Sequence, residues 1–332
     1  MRIMADKQKE PAPATGEFHR IAKYFRPLAK GAPGAFNLGD DAAVFAIPPG
    51  RELVVTLDTI VEGVHFIGDE AADMLARKAM RVNLSDLAAM GATPLGYFLS
   101  LSLPKRIDDP WIEAFCHGLA ADQLEFDWHL MGGDSTSTPG PISIAVTALG
   151  TVPAGQALRR SGAQVGDAIY VSGGIGDGYL GLLAAQGQLP YGPEVDAMLA
   201  RYRCPDPRLA LGQALLGRAH AVMDVSDGLV GDLEHICEQS GVGAVLRAQS
   251  VPLSASAAEL VADQPNLYLE LLTGGDDYEL LITGRAPDIE AAAADSSCRV
   301  TRIGEIVSGA RVVVHDADGE ELSFTHAGFR HS

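Results

Sequence analysis

Residues 72–92 read ADMLARKAMRVNLSDLAAMGA, and this stretch decides the fold. It predicts one long helix with Gly91 near its end. Asp86 lies inside that helix among mostly apolar neighbours, where aspartate is disfavoured. Asn83 precedes it by about one turn, so the two polar side chains share a face. Burying a carboxylate without a partner is costly, so Asp86 resists a purely local reading. Before the helix, ELVVTLDT (52–59) is β-branched and predicts a buried strand that ends at Asp58. After it, LGYFLSLSLP (95–104) alternates as a strand does. WIEAFCHGLAADQLEF (111–126) predicts a second helix, and HLMGGD and ISIAVTALG (142–150) predict two more strands. The first half is therefore a mixed sheet with two long helices.

Upstream, EFHRIAKYFRPLA (17–29) places Phe18, Ile21, Ala22, Phe25 and Leu28 at helical spacing. Residues 1–16 read as a disordered leader, with Met4 available as an alternative start. Downstream, TVPAGQALRRSGAQVGD (151–167) is rich in Gly, Ala and Pro and marks the crossing between domains of 17–152 and 153–332. DAIYVSGGIGDGYLGL then reads as strand, Gly-rich turn and helix. Helices follow near 195–202 and 207–217. AVMDVSDGLVGDLEHICEQSG (221–241) reads as strand, acidic turn and helix. Residues 278–284, 299–306 and 311–316 are later strands, with an Ala-rich helix near 290–294. The fold class is α/β (α+β) in two domains.

With 332 residues, 47% of them hydrophobic, the chain can bury a large core. Its 25 basic and 43 acidic residues give a net charge of −18, which argues against nucleic acid and anionic membrane as partners. Anionic substrates are then compatible only through metal cations. No run approaches the ~20 apolar residues of a membrane span, and the N-terminus lacks the apolar core of a secretory signal. Cys116, Cys204, Cys237 and Cys298 form no CxxC pair and fit a reducing cytoplasm. The phosphate loop GxxxxGK[ST], the protein-kinase HRD and DFG set, GxGxxG, HExxH and GxSxG are all absent.

What remains is a set of aspartates in regular contexts: Asp40 and Asp41, Asp58, Asp86, Asp134, Asp224, Asp227, Asp276 and Asp277. Most follow a β-branched or Gly-rich run, where strand ends meet loops and α/β sheets hold ligands. Taken singly, Asp134 reads as a turn residue and Asp227 equally as a helix N-cap. Taken together, carboxylates in one pocket repel by about 4 kcal/mol per pair at 4 Å and an effective dielectric near 20. Hard cations relieve that, and a site of aspartates without His or Cys points to Mg²⁺ with phosphorylated ligands. The glycines at 132–133, 173–174, 176 and 274–275 allow close backbone approach to a phosphate, or tight turns. Taken alone, His65 and Phe329 are open to a core reading, Arg160 to a surface one, and Lys78 to a solvated one or a reach towards a phosphate.

The motifs GDDAAV (39–44), DTIVEGVHF (58–66), NLSDLAAMGATP (83–94), GGDST (132–136), RSGAQVGD (160–167), MDVSDGL (223–229) and TGGDDYEL (273–280) together resemble the thiamine-monophosphate kinase family, from about Glu17 to Phe329. That family lies within the aminoimidazole ribonucleotide synthetase superfamily. The resemblance implies a PurM-like architecture of mixed sheets with flanking helices, dimerising through the N-terminal domain. It implies ATP-dependent phosphorylation of thiamine monophosphate to thiamine diphosphate by Mg-assisted in-line transfer. By the same likeness Asp40, Thr56, Asp58, Asp86, Asp134, Asp224 and Asp227 hold several Mg²⁺ ions. Gly133, Asp134, Arg160 and Ser226 contact ATP, while His65, Asp276 and Phe329 contact thiamine phosphate. The acceptor oxygen is already anionic, so no general base is expected. The sequence departs from the family where Gly274-Gly275-Asp276-Asp277 replaces the usual Gly-Gly-Glu-Asp, and at the tail GFRHS, which lacks a following aromatic. The rival readings are another ATP-dependent synthetase of the superfamily and a non-catalytic binder of thiamine phosphates or nucleotides.

Overall fold

A computed structural model of the chain describes residues 17–189, 192–324 and 328. The expected first helix is present but irregular. A short α1 (Glu17–Arg20) runs into a π-helical turn (Ile21–Phe25) and a 3₁₀ turn (Arg26–Ala29), the latter opened by Pro27. Tyr24, Phe25 and Leu28 are buried there.

The first sheet has the order β1-β4-β2-β3, with β1 (Arg51–Val61), β2 (Thr93–Pro104), β3 (His129–Thr138) and β4 (Ser143–Pro153). All neighbours are antiparallel except β2 and β3, which are parallel. Two long helices, α2 (Ala72–Ala89) and α3 (Asp109–Phe126), pack against each other, and α2 also lies on β1 and β4. The fully buried Trp128, Tyr97, Phe115, Met80 and Leu84 anchor the core between them.

The reading of β1 as a buried strand ending at Asp58 is corrected by the structure. β1 is an edge strand that continues three residues past Asp58, and its outer face carries exposed Leu53, Val55 and Leu57 (40, 55 and 59% exposed). A β-branched run reports strand propensity, not how many faces are covered. Here only the Val54–Thr56–Asp58–Ile60 face turns toward α2.

The second sheet has the order β10-β7-β9-β5-β8-β6. Its strands are β5 (Ala168–Ser172), β6 (Ala221–Val225), β7 (Gly243–Arg247), β8 (Glu279–Gly284), β9 (Val300–Val307) and β10 (Val312–His315). The helices here are α4 (Asp177–Ala185), α5 (Pro193–Arg203), α6 (Leu209–Ala214), α7 (Leu229–Ser240), α8 (Ala255–Asp263), α9 (Leu267–Thr273) and α10 (Ala286–Ser296). The helix expected over 207–217 is therefore only six residues long.

α2 serves both halves. Ala88 and Ala89 at its C-terminal end pack with Leu158, Leu211, Leu215, Val222, Leu280 and Ile282. Arg81, 5% exposed, donates to Asp122 at 2.9 Å and to the Pro205 carbonyl at 3.0 Å. The crossing segment is stitched to both sides: the Leu158 amide donates to Met90 O at 3.2 Å, and the Val222 amide to Arg159 O at 2.8 Å. Among the described residues, no helix is long and apolar enough to cross a membrane.

Candidate functional site

The face of α2 that meets both β1 and the second sheet carries the chemistry. Thr56 and Asp58 point inward from alternate positions of β1, as the period of two requires. Thr56 Oγ1 donates to Asp86 Oδ2 at 2.5 Å, and the Asp58 amide donates to Asn83 Oδ1 at 3.0 Å. Asn83 is itself aimed by its amide, which donates to Ala79 O at 2.9 Å. One residue before Asp86, Ser85 Oγ donates to Asp224 Oδ2 at 2.7 Å. The helix thus joins a carboxylate of β6 to one of its own and to one of β1.

The electrostatics of this group are those of uncompensated negative charge. Burial, then Asp86 and Asp227, push the Asp58 carboxyl up to about 6. Burial, then Asp86, push Asp224 up to about 8, against the opposing Ser85 hydrogen bond. Asp86 is raised by burial and held down by the Thr56 hydroxyl and the Arg160 guanidinium. Arg160 is exposed on the crossing segment, so its charge faces the cluster from the solvent side.

The acidic turn after β6 is built by a residue the sequence reading passed over. Asp232, 1% exposed in α7, accepts from the amides of Ser226, Asp227 and Gly228 at 3.0, 3.2 and 3.1 Å. It fixes the loop, and Gly228 rather than Asp227 occupies the N-cap position of α7. The Asp227 carboxyl is left to act on Asp58 and Asp232, raising both. The 274–278 loop packs directly on this turn. The Asp276 amide donates to Ser226 O at 2.9 Å, and the Tyr278 amide to Val225 O at 2.8 Å. Gly275 is required by that approach, because a Cβ there would stand 2.1 Å from Ser226 O.

Within that loop the two aspartates separate. Asp277, 3% exposed, accepts from the Gly176 amide at 2.8 Å and the Gly178 amide at 3.0 Å, so it caps the start of α4. The GGIGDG segment is therefore the turn that presents these amides to a carboxylate of the protein itself. Asp276 has φ +68° and carries its carboxylate next to Tyr278, whose hydroxyl donates to Oδ1 at 3.2 Å. Lys78 is corrected from solvated to buried: it is 3% exposed, with its ammonium 3.4 Å from Asp276 Oδ1. Nearby, His65 Nδ1 accepts from the Val61 amide at 3.1 Å, which puts the proton of the neutral ring on Nε2. The Tyr202 hydroxyl donates to His65 O at 3.0 Å.

Asp40, Gly133 and Asp134 form a separate group. They line a cleft of about 660 Å³ at the β3 edge, with Asp41, Phe98 and Met131. The strand register puts Asp134 in one row with Ser100, Ala145 and Thr59, and puts Asp58 in the next row with Val146, Leu99 and Gly133. Asp134 therefore faces the outer side of the sheet and Asp58 the inner side. β1 and β3 are opposite edges, about 14 Å apart at ~4.8 Å per strand. Phe329 lies outside the described residues.

Thr56, Asp58, Asp86, Asp224, Ser226, Asp227 and Arg160 are thus brought together, with His65 and Asp276 grouped around Lys78 and Tyr202. Ser85, Tyr278 and Asp232 were missed as site residues, and Lys78 was weighed as a phosphate contact but read as solvated. Ser85 was legible as part of a polar Asn83–Ser85–Asp86 run inside an apolar helix.

The clustered donors are hard oxygens, and the carboxyls of Asp58, Asp86 and Asp224 are raised, which is the donor set and the charge deficit a Mg²⁺ ion satisfies. Among the described residues no three acidic, His or Cys side chains form a ready-made metal cage. Mg²⁺ does not need one, since it keeps water and takes substrate phosphate oxygens beside one or two carboxylates.

Comparison with known proteins places this geometry in a family. Residues 39–152 match the AIR synthase related protein N-terminal domain, and residues 164–317 match its C-terminal domain. The chain is 43% identical over 327 residues to the thiamine-monophosphate kinase of Caulobacter vibrioides, covering 96% of this chain and 92% of that one. The crystal structure of thiamine-monophosphate kinase from Stenotrophomonas maltophilia K279a superposes with a TM-score of 0.78 at 43% identity, covering 86% of this chain and 91% of that one. The structure named "AaThiL complexed with AMPPCP and TMP" superposes with a TM-score of 0.76 at 30% identity, covering 89% and 91%.

Proposed function

The chain belongs to the thiamine-monophosphate kinases of the AIR synthase-related family, and on that premise we propose that it moves the γ-phosphoryl group of ATP onto thiamine monophosphate, giving thiamine diphosphate. The observation that carries the reading is the set Thr56, Asp58, Asp86, Asp224 and Asp227, gathered by α2 between the two sheets. ATP and the acceptor are both anions, and this pocket is acidic. Phosphoryl transfer needs positioning and charge neutralisation more than covalent help. Bound Mg²⁺ would offset the repulsion and help align the phosphates; Asp58, Asp86, Asp224 and Asp227 are the residues that would hold it.

The chain's own residues do the rest. Thr56 and Ser85 orient Asp86 and Asp224 by donating to one oxygen of each, which leaves the other oxygen for a ligand. Arg160 offers a guanidinium to phosphate from the open side. Ser226 sits on a turn locked by Asp232, next to Asp227. No side chain has to accept a proton, because the attacking phosphate oxygen is already anionic. His65 and Asp276 face the acceptor, whose thiazolium suits an acidic surround.

A homodimer completes this account. Leu53, Val55 and Leu57 form an apolar outer face on β1 that a second copy would cover. Asp134 lies on that same outer face. One copy's Asp40–Gly133–Asp134 rim then serves the nucleotide held by the partner's inter-domain cluster. The four free cysteines suit a reducing cytoplasm.

The test is to incubate purified protein with thiamine monophosphate and ATP, with and without Mg²⁺, and to chromatograph the thiamine species. Thiamine diphosphate should appear only when both substrates and the metal are present. Product no higher than in the no-enzyme control would overturn the reading.

A further inference from the structure

Lys78 has no part in the metal-holding set, yet it is among the most buried charged groups of the molecule. It projects from α2 a little over two turns before Asp86. Its ammonium lies 3.4 Å from the centroid of the Tyr202 ring and 3.4 Å from Asp276 Oδ1, and has no hydrogen-bond partner among the described residues. Burying a cation this way is unfavourable unless its partners are fixed. Here they are: the Asp276 amide donates a hydrogen bond to Ser226 O, and the Tyr202 hydroxyl donates one to His65 O. One cation therefore touches the loop that carries Asp276 and the ring that pins the backbone of His65. Both salt-bridge and hydroxyl contacts to Asp276 fall on Oδ1. Oδ2 is left for an outside donor.

We propose that Lys78 is a positioning residue for the acceptor: wedged between Tyr202 and Asp276, it holds the Asp276 carboxylate in one orientation so that Oδ2 receives a hydrogen-bond donor of the cationic heteroaromatic substrate. This rests on the function proposed above and deepens it, because it gives the acceptor subsite its own rigid floor, separate from the nucleotide side. It also accounts for a shorter acid at this position. Asp tolerates the left-handed backbone seen at φ +68°, and the buried lysine fixes it where no length remains to adjust.

The test compares wild type, Lys78→Met, Asp276→Ala and the double variant by steady-state kinetics, with melting curves to confirm folding. Lys78→Met keeps the stem that packs on Tyr202 and removes the charge. It should raise the KM for thiamine monophosphate about tenfold and leave the KM for ATP within about twofold, as loss of one charged contact implies. Lys78→Met/Asp276→Ala should match Asp276→Ala alone, because the lysine acts through the aspartate. The double variant leaves no unpaired buried charge, so it carries the test if Lys78→Met fails to fold. Equal rises in both KM values, an unchanged KM for thiamine monophosphate, or a double variant worse than Asp276→Ala by the full Lys78→Met factor would overturn the proposal. An inactive wild type would instead strike at the proposed function itself.

Discussion

Asp86, Asp224 and Asp58 each spend stability on being charged in a crowded pocket, and that makes their removal informative. Asp86→Asn should abolish turnover at saturating Mg²⁺ while the metal-free protein melts at the same temperature or higher, because repulsion is relieved. Near-normal turnover, or a protein unfolded at ambient temperature, would contradict a ligand role. The pH dependence has a definite sign. Asp58 and Asp224 have folded pKa values raised to about 6 and about 8, above the ordinary 3.8, so the folded state binds the extra protons. Their contribution is full below about pH 4 and is lost as pH rises through 6 and then 8. In metal-free protein, denaturant titrations should show that Asp224→Asn flattens the loss of stability between about pH 4 and 8; an unchanged slope would refute the assignment. At this scale the sequence was partly legible. Asp86 stood out because an aspartate in an apolar helix needs a reason, and Asp276 because of the Gly-Gly before it. The capping role of Asp277, one of the listed aspartates, and the burial of Lys78 were not legible, because their partners lie 99 to 101 and 198 residues away in the chain. Asp232 was passed over although the amides it accepts from lie only 4 to 6 residues before it.

The elements hold these side chains by close backbone packing, and two loops show it most clearly. The 226–228 turn is closed by Asp232, and the 274–278 loop lies on it with Gly275 against Ser226 O. Asp232→Ala strands three amides that now donate to one carboxylate. It should lower unfolding free energy by about 2 kcal/mol or more and weaken Mg²⁺-linked stabilisation at the same time. Melting curves with and without metal check this, and a stable variant with intact metal response would refute it. The long helices and the strands of the first half were legible from periodicity and from β-branched runs. β7, α8 and α9, of five, nine and seven residues, were not anticipated. The burial of β1 was misjudged for a different reason: whether a strand lies at an edge is decided by its partners, which a single run does not encode.

Across the whole molecule, the set proposed to serve the reaction is divided by a sheet. Asp58 and Asp134 lie in adjacent rows on opposite faces, at opposite edges of four strands. The proposed dimer over the Leu53–Val55–Leu57 face would unite them, and complementation would read this out. Inactive Asp86→Asn and Asp134→Asn proteins, mixed after partial denaturation and refolded together, should regain activity in the hybrid dimers, since one of the two sites then has both halves intact. No recovery would place the whole set within one chain. The central claim, direct transfer from ATP to thiamine monophosphate, is tested most directly by following the phosphorus. ATP labelled at the γ position should deliver its label to the terminal phosphate of thiamine diphosphate, one label per ADP formed, and only with Mg²⁺ present. Label released as inorganic phosphate, with the thiamine species unlabelled, would contradict it.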